Sequence, residues 1–192
     1  MSIFEELLGE IGACRICAEF LPLGPRPVVR LSPEARLLIV GQAPGTRVHE
    51  TGIPWNDASG QRLREWLGLS DETFYDTRKV ALLPAGFCYP GRDANGGDKP
   101  PRPECAPLWH PRVMPHLRSV KLTLLVGGYA QKLILGKQAG SVSDTVRRWR
   151  EFPAHHVPLP HPSWRTRHWE KNNPWFQTEL LFDLRSRLKE LL

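Results

Sequence analysis

The sequence has no apolar run that approaches the roughly 18 continuous residues of a membrane-spanning helix. It also has no internal repeat, no low-complexity segment and no linker long enough to separate two domains. The opening stretch, MSIFEELLGEIGAC, lacks the basic start and the small-residue cleavage site of a signal peptide. We therefore expect a single domain over residues 1–192, in the cytoplasm, without a membrane partner and as a monomer.

Acidic residues are in the minority, and the chain carries a net charge of +6. This modest excess suits a polyanionic partner without requiring one. Cations beside aromatic rings are typical of nucleic-acid surfaces, but a solvated helix over ordinary core tryptophans explains the same pattern equally well. The pattern consists of Arg147, Arg148, Arg150, Arg165, Arg167 and Lys171, interleaved with Trp149, Trp164, Trp169 and Trp175.

Short apolar segments alternate with segments of helical periodicity along the chain. The predicted strands lie in ARLLIVGQ, KVALLPAGF, KLTLLVGGYA and HHVPLPHPS, and one of the predicted helices, SGQRLREWLGL, has Ser59 as its N-cap. The alternation predicts an α/β fold, a three-layer α/β/α sandwich with a short, central, mostly parallel four-stranded sheet. Ligands bind at the carboxyl ends of such strands. We therefore expect GQAPG, GFCYPG, GGYA and LPHPS around one rim.

Cysteine is scarce, but the spacing of the four cysteines indicates a shared site. Cys14 and Cys17 form a C-x2-C pair, whereas Cys88 and Cys105 lie in segments rich in Pro and Gly. Disulfides are not expected in a cytoplasmic chain, so the four thiols predict a metal centre. Thiolates suit either tetrahedral zinc or an iron–sulfur cluster, and composition does not separate the two. Four unrelated buried thiols are the remaining alternative.

Segment 41–60, the cysteine arrangement and HPS at 161–163 together resemble the uracil-DNA glycosylase superfamily. The resemblance is closest to its iron–sulfur branch, family 4, in which GEAPG precedes a GxPF segment and the last motif begins with HP. This chain has GQAPG, GIPW, the four cysteines and LPHPSWR in the same order. The resemblance implies a uracil-DNA glycosylase-like fold and a 4Fe-4S cluster on the four cysteines, with zinc as the alternative. It also implies that DNA containing a damaged base is the partner.

The implied activity is that of a DNA-repair glycosylase. Such an enzyme hydrolyses the N-glycosidic bond of a flipped-out deaminated base, with uracil as the first candidate, and leaves an abasic site. No lysine stands in the motifs as a Schiff-base nucleophile, which predicts a monofunctional enzyme. In loop 41–45, Gly41 and Gly45 let the backbone approach a ligand, and Pro44 stiffens the turn between them.

The resemblance assigns roles to side chains around this loop. Trp55 is similar to the residue whose ring stacks on the flipped base, although a core tryptophan is the alternative. His161 is similar to the histidine that hydrogen-bonds the uracil carbonyl oxygen as negative charge develops there. Backbone amides near Gly86 and Phe87 are expected to contact the base.

The sequence departs from the family pattern after Gly41. Gln42 replaces an expected acid, and Ala43 stands where another branch has a catalytic Asp, so neither side chain can act as a base. We nevertheless expect Gln42 in the catalytic group and Gly41, Gln42 and Ala43 in the base-binding group. Asp57 resembles the Asp of a D-x-S-G motif in a further branch, which implies that it orients water and stabilises the sugar cation. The alternative is that Asp57 only caps a turn or the next helix.

A second departure concerns base recognition. Leu83 and Pro84 occupy the region where the family offers an Asn that reads the uracil edge. Hypoxanthine or xanthine therefore remain open as substrates, as does a non-catalytic relative that only binds DNA or a damaged base. On the DNA side, Ser163, Arg165 and Arg167 are expected to contact phosphate or fill the gap left by the flipped base, although solvated arginines would fit as well.

Overall fold

The computed structural model describes residues 2–94 and 96–192. Its four strands form one parallel sheet in the order β2-β1-β3-β4. This topology confirms the predicted α/β fold and its four-stranded sheet, in which every neighbouring pair is parallel. The strands are β1 (Leu37–Val40), β2 (Val80–Leu82), β3 (Leu122–Val126) and β4 (His156–Leu159).

Nine α-helices in the described part of the chain surround this sheet. A π-helical turn, Phe176–Leu181, leads directly into the last of them, and short 3-10 turns occupy Ala18–Phe20, Met114–His116, Gly136–Gln138 and Trp149–Glu151. The helices are α1 (Ile3–Ala13), α2 (Thr46–Thr51), α3 (Ala58–Leu67), α4 (Asp71–Tyr75), α5 (Cys105–Val113), α6 (Gly128–Leu135), α7 (Val142–Arg147), α8 (Thr166–Lys171) and α9 (Phe182–Leu191).

Alternate residues of each strand face opposite layers of the sandwich. On β1, Leu37 and Ile39 pack into a core with α3 and α9, whereas Leu38 and Val40 pack into a second core with α1, α5 and α6. All four side chains are fully buried. Two apolar faces explain why β1 reads as a continuous apolar run rather than an alternating one. The result is the predicted three-layer arrangement.

The start of α3 differs from the prediction. Asp57, not Ser59, is the N-cap, and its Oδ1 accepts a hydrogen bond from the Gly60 amide at 2.7 Å. Carboxylates suit this position because the first amides of a helix have no partner within it. Ser59 lies one residue inside the helix.

Most tryptophans of the basic C-terminal third are structural. Trp149 is buried, and the rings of Trp169 and Trp175 meet edge to face, with both rings packed against the core. Trp164 is the exception, since 74% of it is exposed. Three of the four tryptophans therefore fit the core alternative.

No helix within residues 2–94 and 96–192 is both long enough and apolar enough to cross a membrane.

Candidate active site

One pocket lies at the carboxyl ends of the strands and contains about 620 Å³ of space free of protein atoms. Val28, Leu82 and Pro84 contribute apolar surface to it. The fold brings together here six of the residues singled out in the sequence, although they come from three separate segments. These residues are Gly41, Gln42, Ala43, Trp55, Asp57 and His161.

The Trp55 ring lies directly against the backbone of the glycine loop. A Cβ built on Gly41 would be 2.8 Å from Trp55 Cζ2, so any side chain at this position would collide with the ring. Gly41 therefore allows the aromatic ring and the loop to form one closely packed wall of the pocket.

The backbone of Trp55 adopts a left-handed conformation, with φ of 58°. This region is costly for a bulky residue. The neighbouring carbonyls are tied down, because Arg64 Nη1 donates to the Trp55 oxygen at 3.1 Å and the Tyr75 hydroxyl donates to the Pro54 oxygen at 3.1 Å. Gly60 completes the arrangement, since a Cβ there would lie only 1.7 Å from the Trp55 oxygen. The position of the ring is thus fixed by tertiary contacts.

Asp57 both caps a helix and lines the pocket. Its Oδ1 caps α3 through Gly60, as described above, and the residue also lines the pocket. Within the described part of the chain, Oδ2 accepts no hydrogen bond. Asp57 therefore caps α3, as the alternative interpretation expected, and still lines the pocket.

His161 follows β4 and faces Trp55, with ring centroids 6.0 Å apart. Burial lowers the pKa of its imidazole below the ordinary value of 6.5, although Asp57 and Asp98 oppose this shift. At neutral pH the ring is therefore uncharged and can donate one hydrogen bond. Its backbone carbonyl accepts from the Ser163 amide at 2.8 Å and from the Thr166 hydroxyl at 2.5 Å, which fixes the turn after β4.

The structure places Gly86 and Phe87 outside this pocket. The Gly86 amide donates to the Gln42 carbonyl at 2.9 Å, and the Phe87 amide donates to Cys105 Sγ at 3.3 Å. Phe87 is 1% exposed. The Gly86 amide is used because the chain beyond β2 continues to pair with the glycine loop, and the Phe87 amide is used by a thiol at the start of α5. Neither amide is therefore available to a base here.

Asp98 belongs to the pocket and was not singled out by the sequence. It lies in the loop between β2 and α5, and its Oδ2 is 3.5 Å from where a Cβ on Gly45 would stand. Although the residue as a whole is exposed, partial burial of the carboxyl raises its pKa, with Arg92 and His161 opposing the shift. The only sequence signal is a lone acid in the Gly- and Pro-rich stretch GGDKPP.

The segment after His161 forms an exposed ridge beside the pocket. Arg165 and Arg167 are exposed, and the Arg165 guanidinium lies over the ring of exposed Trp164 at 5.5 Å. Ser163 is half-buried, and its carbonyl accepts from Arg62 Nη1 at 2.6 Å. A fixed backbone therefore carries one exposed aromatic ring and two cations.

The four cysteines meet at a second depression, which contains about 450 Å³ of space free of protein atoms when the open solvent at its mouth is included. None of them forms a disulfide. The depression is lined by thiols from the N-terminal segment, from the loop after β2 and from the start of α5. These are Cys14, Cys17, Cys88 and Cys105.

The chemistry of this donor set fits a metal group. Burial raises the pKa of Cys88 to about 11 and that of Cys105 to about 12, and the neighbouring thiols contribute in the same direction. Such thiols ionise readily only beside a bound cation. Within the described residues, no three His, Cys, Asp or Glu side chains form a compact group suited to a single metal ion. The thiols instead surround this depression.

The sequence model of the uracil DNA glycosylase superfamily matches residues 29–185. The matched span includes all four strands together with Trp55, Asp57 and His161, whereas Cys14 and Cys17 precede it. Members of this superfamily are generally DNA glycosylases. With more than half of its length matched, the chain belongs to the uracil DNA glycosylase superfamily.

Proposed function

We propose that the protein is a monofunctional DNA glycosylase that hydrolyses the N-glycosidic bond of a flipped-out deaminated base, with uracil as the first candidate. The observation that carries this proposal is the convergence of Trp55, Asp57 and His161 on one pocket at the carboxyl ends of the strands. Each supplies a different requirement of the reaction: a surface for stacking, a negative charge and a hydrogen-bond donor.

The reaction breaks the bond between C1′ of the sugar and the base nitrogen. The sugar gains positive character and the base gains negative charge as the bond lengthens. Neutral His161 donates a hydrogen bond to the base carbonyl oxygen, and the Asp57 carboxylate stabilises the developing sugar cation. Water then adds its oxygen to C1′ and loses a proton, and the departing base takes up a proton.

The substrate range follows from the polar groups that face the base. Of Leu83 and Pro84, which occupy the region where the family offers a base-reading amide, only Pro84 lines the pocket, and it adds apolar surface there together with Leu82. Gln42 also lines the pocket. Its amide carries both a donor and an acceptor, as uracil requires. Hypoxanthine or xanthine is the second candidate, because shape alone discriminates weakly among bases.

We propose that the exposed ridge after His161 contacts DNA. Arg165 and Arg167 would neutralise phosphates, and Trp164 presents an apolar ring that could enter the stack vacated by the flipped base. Ser163 lies at the base of this ridge, next to the pocket.

We further propose that Cys14, Cys17, Cys88 and Cys105 hold a 4Fe-4S cluster, with zinc as the alternative. A cluster needs thiols arranged around a cavity, whereas zinc needs them around a point. When bound, the cluster would join the N-terminal segment to the loop after β2 and to α5.

The cluster proposal predicts brown protein with about four iron and four sulfide ions per chain after anaerobic purification. Cys17→Ser and Cys105→Ser should each lose colour and iron, since each removes one of four ligands. Colourless anaerobic protein that contains one zinc ion per chain would contradict the cluster. Cys-to-Ser variants that retain full iron content would contradict the ligand assignment.

The activity is tested with single- and double-stranded oligonucleotides that each carry one uracil, hypoxanthine or xanthine. Alkali converts any abasic site into a strand break. Breaks at uracil would support the first candidate, and breaks only at a deaminated purine would support the second. Wild-type protein that binds these oligonucleotides and releases no base would instead support the non-catalytic alternative.

Asp57→Asn separates the two roles of this residue. Asn caps helices about as well as Asp does, so the free energy of unfolding should change by less than about 0.5 kcal/mol. Base release should nevertheless fall by about 10²- to 10⁴-fold in single-turnover assays, because the charge is lost. Ser59→Ala, which alters a neighbour in the same pocket without removing a charge, is the control. Equal activity of wild type and Asp57→Asn would limit Asp57 to capping.

A further inference from the structure

A second carboxylate, Asp98, reaches the same pocket from a different segment of the chain. Its loop is ordered by an isolated antiparallel backbone bridge between Arg92 and Asp98 and by the hydrogen bond from the Asp93 amide to the Gly97 carbonyl at 2.7 Å. The loop thereby carries the carboxylate towards Gly45, at the end of the glycine loop. Asp98 also lines an adjoining surface depression that includes Arg47 and Glu50. It therefore stands at the mouth of the pocket, between the pocket and the solvent.

The carboxylate of Asp98 is free to bind a ligand. Among the described residues, no side chain or amide donates a hydrogen bond to it and none forms an ion pair with it. By contrast, one oxygen of Asp57 is already used by the Gly60 amide. Asp98 is exposed, and its oxygens are not among the buried polar atoms that lack a partner, so water or a substrate group can reach this carboxylate.

We propose that Asp98 is a second catalytic carboxylate, which accepts the proton of the attacking water while Asp57 stabilises the sugar cation. The inference rests on the proposed glycosylase activity. In this step a water O–H bond breaks and its proton passes to Asp98, while the water oxygen forms a bond to C1′. The bond from C1′ to the base nitrogen breaks, and its electron pair leaves with the base, which His161 stabilises. Asp98 then returns the proton to solvent or to the departing base.

The surroundings of Asp98 favour a role as general base over a purely electrostatic role. Asp98 and Asp57 both line the pocket and the adjoining depression, but Oδ1 of Asp57 caps α3, whereas among the described residues both oxygens of Asp98 are left for water. Partial burial raises the pKa of Asp98, which makes its carboxylate a stronger base. The charged and titratable groups around it are Arg92, His161, Asp57 and Asp93, with Arg47 and Glu50 across the adjoining depression.

Asp98→Asn tests the assignment under single-turnover conditions. We expect base release to fall by about 10²-fold, with affinity for DNA containing the substrate base unchanged or increased. The acid limb of the pH–rate profile should lie at lower pH in Asp98→Asn than in the wild type, because the group with the raised pKa is gone. A purely structural role would lower activity without moving this limb. Glu190→Gln, which removes an exposed charge from α9, outside the pocket and the adjoining depression, should leave rate and profile unchanged.

A second variant, Asp98→Ser, and the melting temperatures of both variants show whether a lower rate reflects the lost carboxylate or a loss of the fold. Rates within about threefold of the wild type in both variants, or an unmoved acid limb, would overturn the inference while leaving the glycosylase activity intact. Wild-type protein that releases no base from any oligonucleotide would overturn the proposed function, and this inference with it.

Discussion

His161→Ala is expected to reduce base release by about 10²- to 10³-fold, because it removes the donor aimed at the oxygen where negative charge develops. Binding to DNA that contains the substrate base should change much less, since Trp55 and the exposed ridge remain. The measurement is a single-turnover rate together with a binding isotherm on the same oligonucleotide. His168→Ala is the matched control, because His168 is an exposed histidine on α8 outside the pocket.

The pH dependence identifies which form of His161 acts. Burial lowers its pKa below 6.5, so the neutral ring persists as the pH falls from 8 towards that value. A rate that is constant over this range would agree with a neutral donor. A wild-type rate that climbs as the pH falls towards 6.5, and that loses this dependence in His161→Ala, would indicate a charged imidazolium instead. An unimpaired His161→Ala would remove His161 from the mechanism.

Gly60→Ala should disrupt the segment that carries Trp55 and Asp57. The new Cβ would lie 1.7 Å from the Trp55 oxygen and 2.5 Å from the Trp55 carbonyl carbon, which are backbone atoms held by other contacts. We expect a loss of about 3 kcal/mol in the free energy of unfolding, measured by denaturant titration, because both segments must shift to relieve the clash. Base release should fall together with stability, since the Trp55 ring moves away from Gly41.

Gly9→Ala and Gly12→Ala are the matched controls for this substitution. Both glycines lie in α1, where nothing stands within 4 Å of the new Cβ. Alanine should stabilise α1 by about 0.5–1 kcal/mol at each position, because it restricts the unfolded chain. A Gly60→Ala protein as stable and active as these controls would show that the segment around Trp55 adapts easily.

The sequence predicted the sheet because its signals are local. A short apolar run that ends in glycine, such as that in ARLLIVGQ, is typical of a central parallel strand, and β1 (Leu37–Val40) lies within this segment. The histidine after β4 and the glycine loop after β1 were predicted at one rim for the same reason, since carboxyl ends of parallel strands share one edge.

Local sequence signals did not identify the N-cap of α3. Asp57 and Ser59 are both good N-cap residues separated by one position, and the prediction of Ser59 as the cap was wrong. The contact of Gly60 with the Trp55 backbone requires the helix to begin at Ala58, which gives the cap to Asp57.

What the sequence by itself determined is the α/β class and the four strands in their order along the chain. Through the resemblance it also predicted Trp55, Asp57 and His161 as members of one site. Only the tertiary structure decided that the Gly86 and Phe87 amides bond to Gln42 and Cys105, because these are long-range pairings between loops. It alone brought Asp98 to the pocket, since a loop 53 residues beyond Gly45 folds back onto it. Local patterns specify elements, whereas contacts between distant loops depend on how those elements pack.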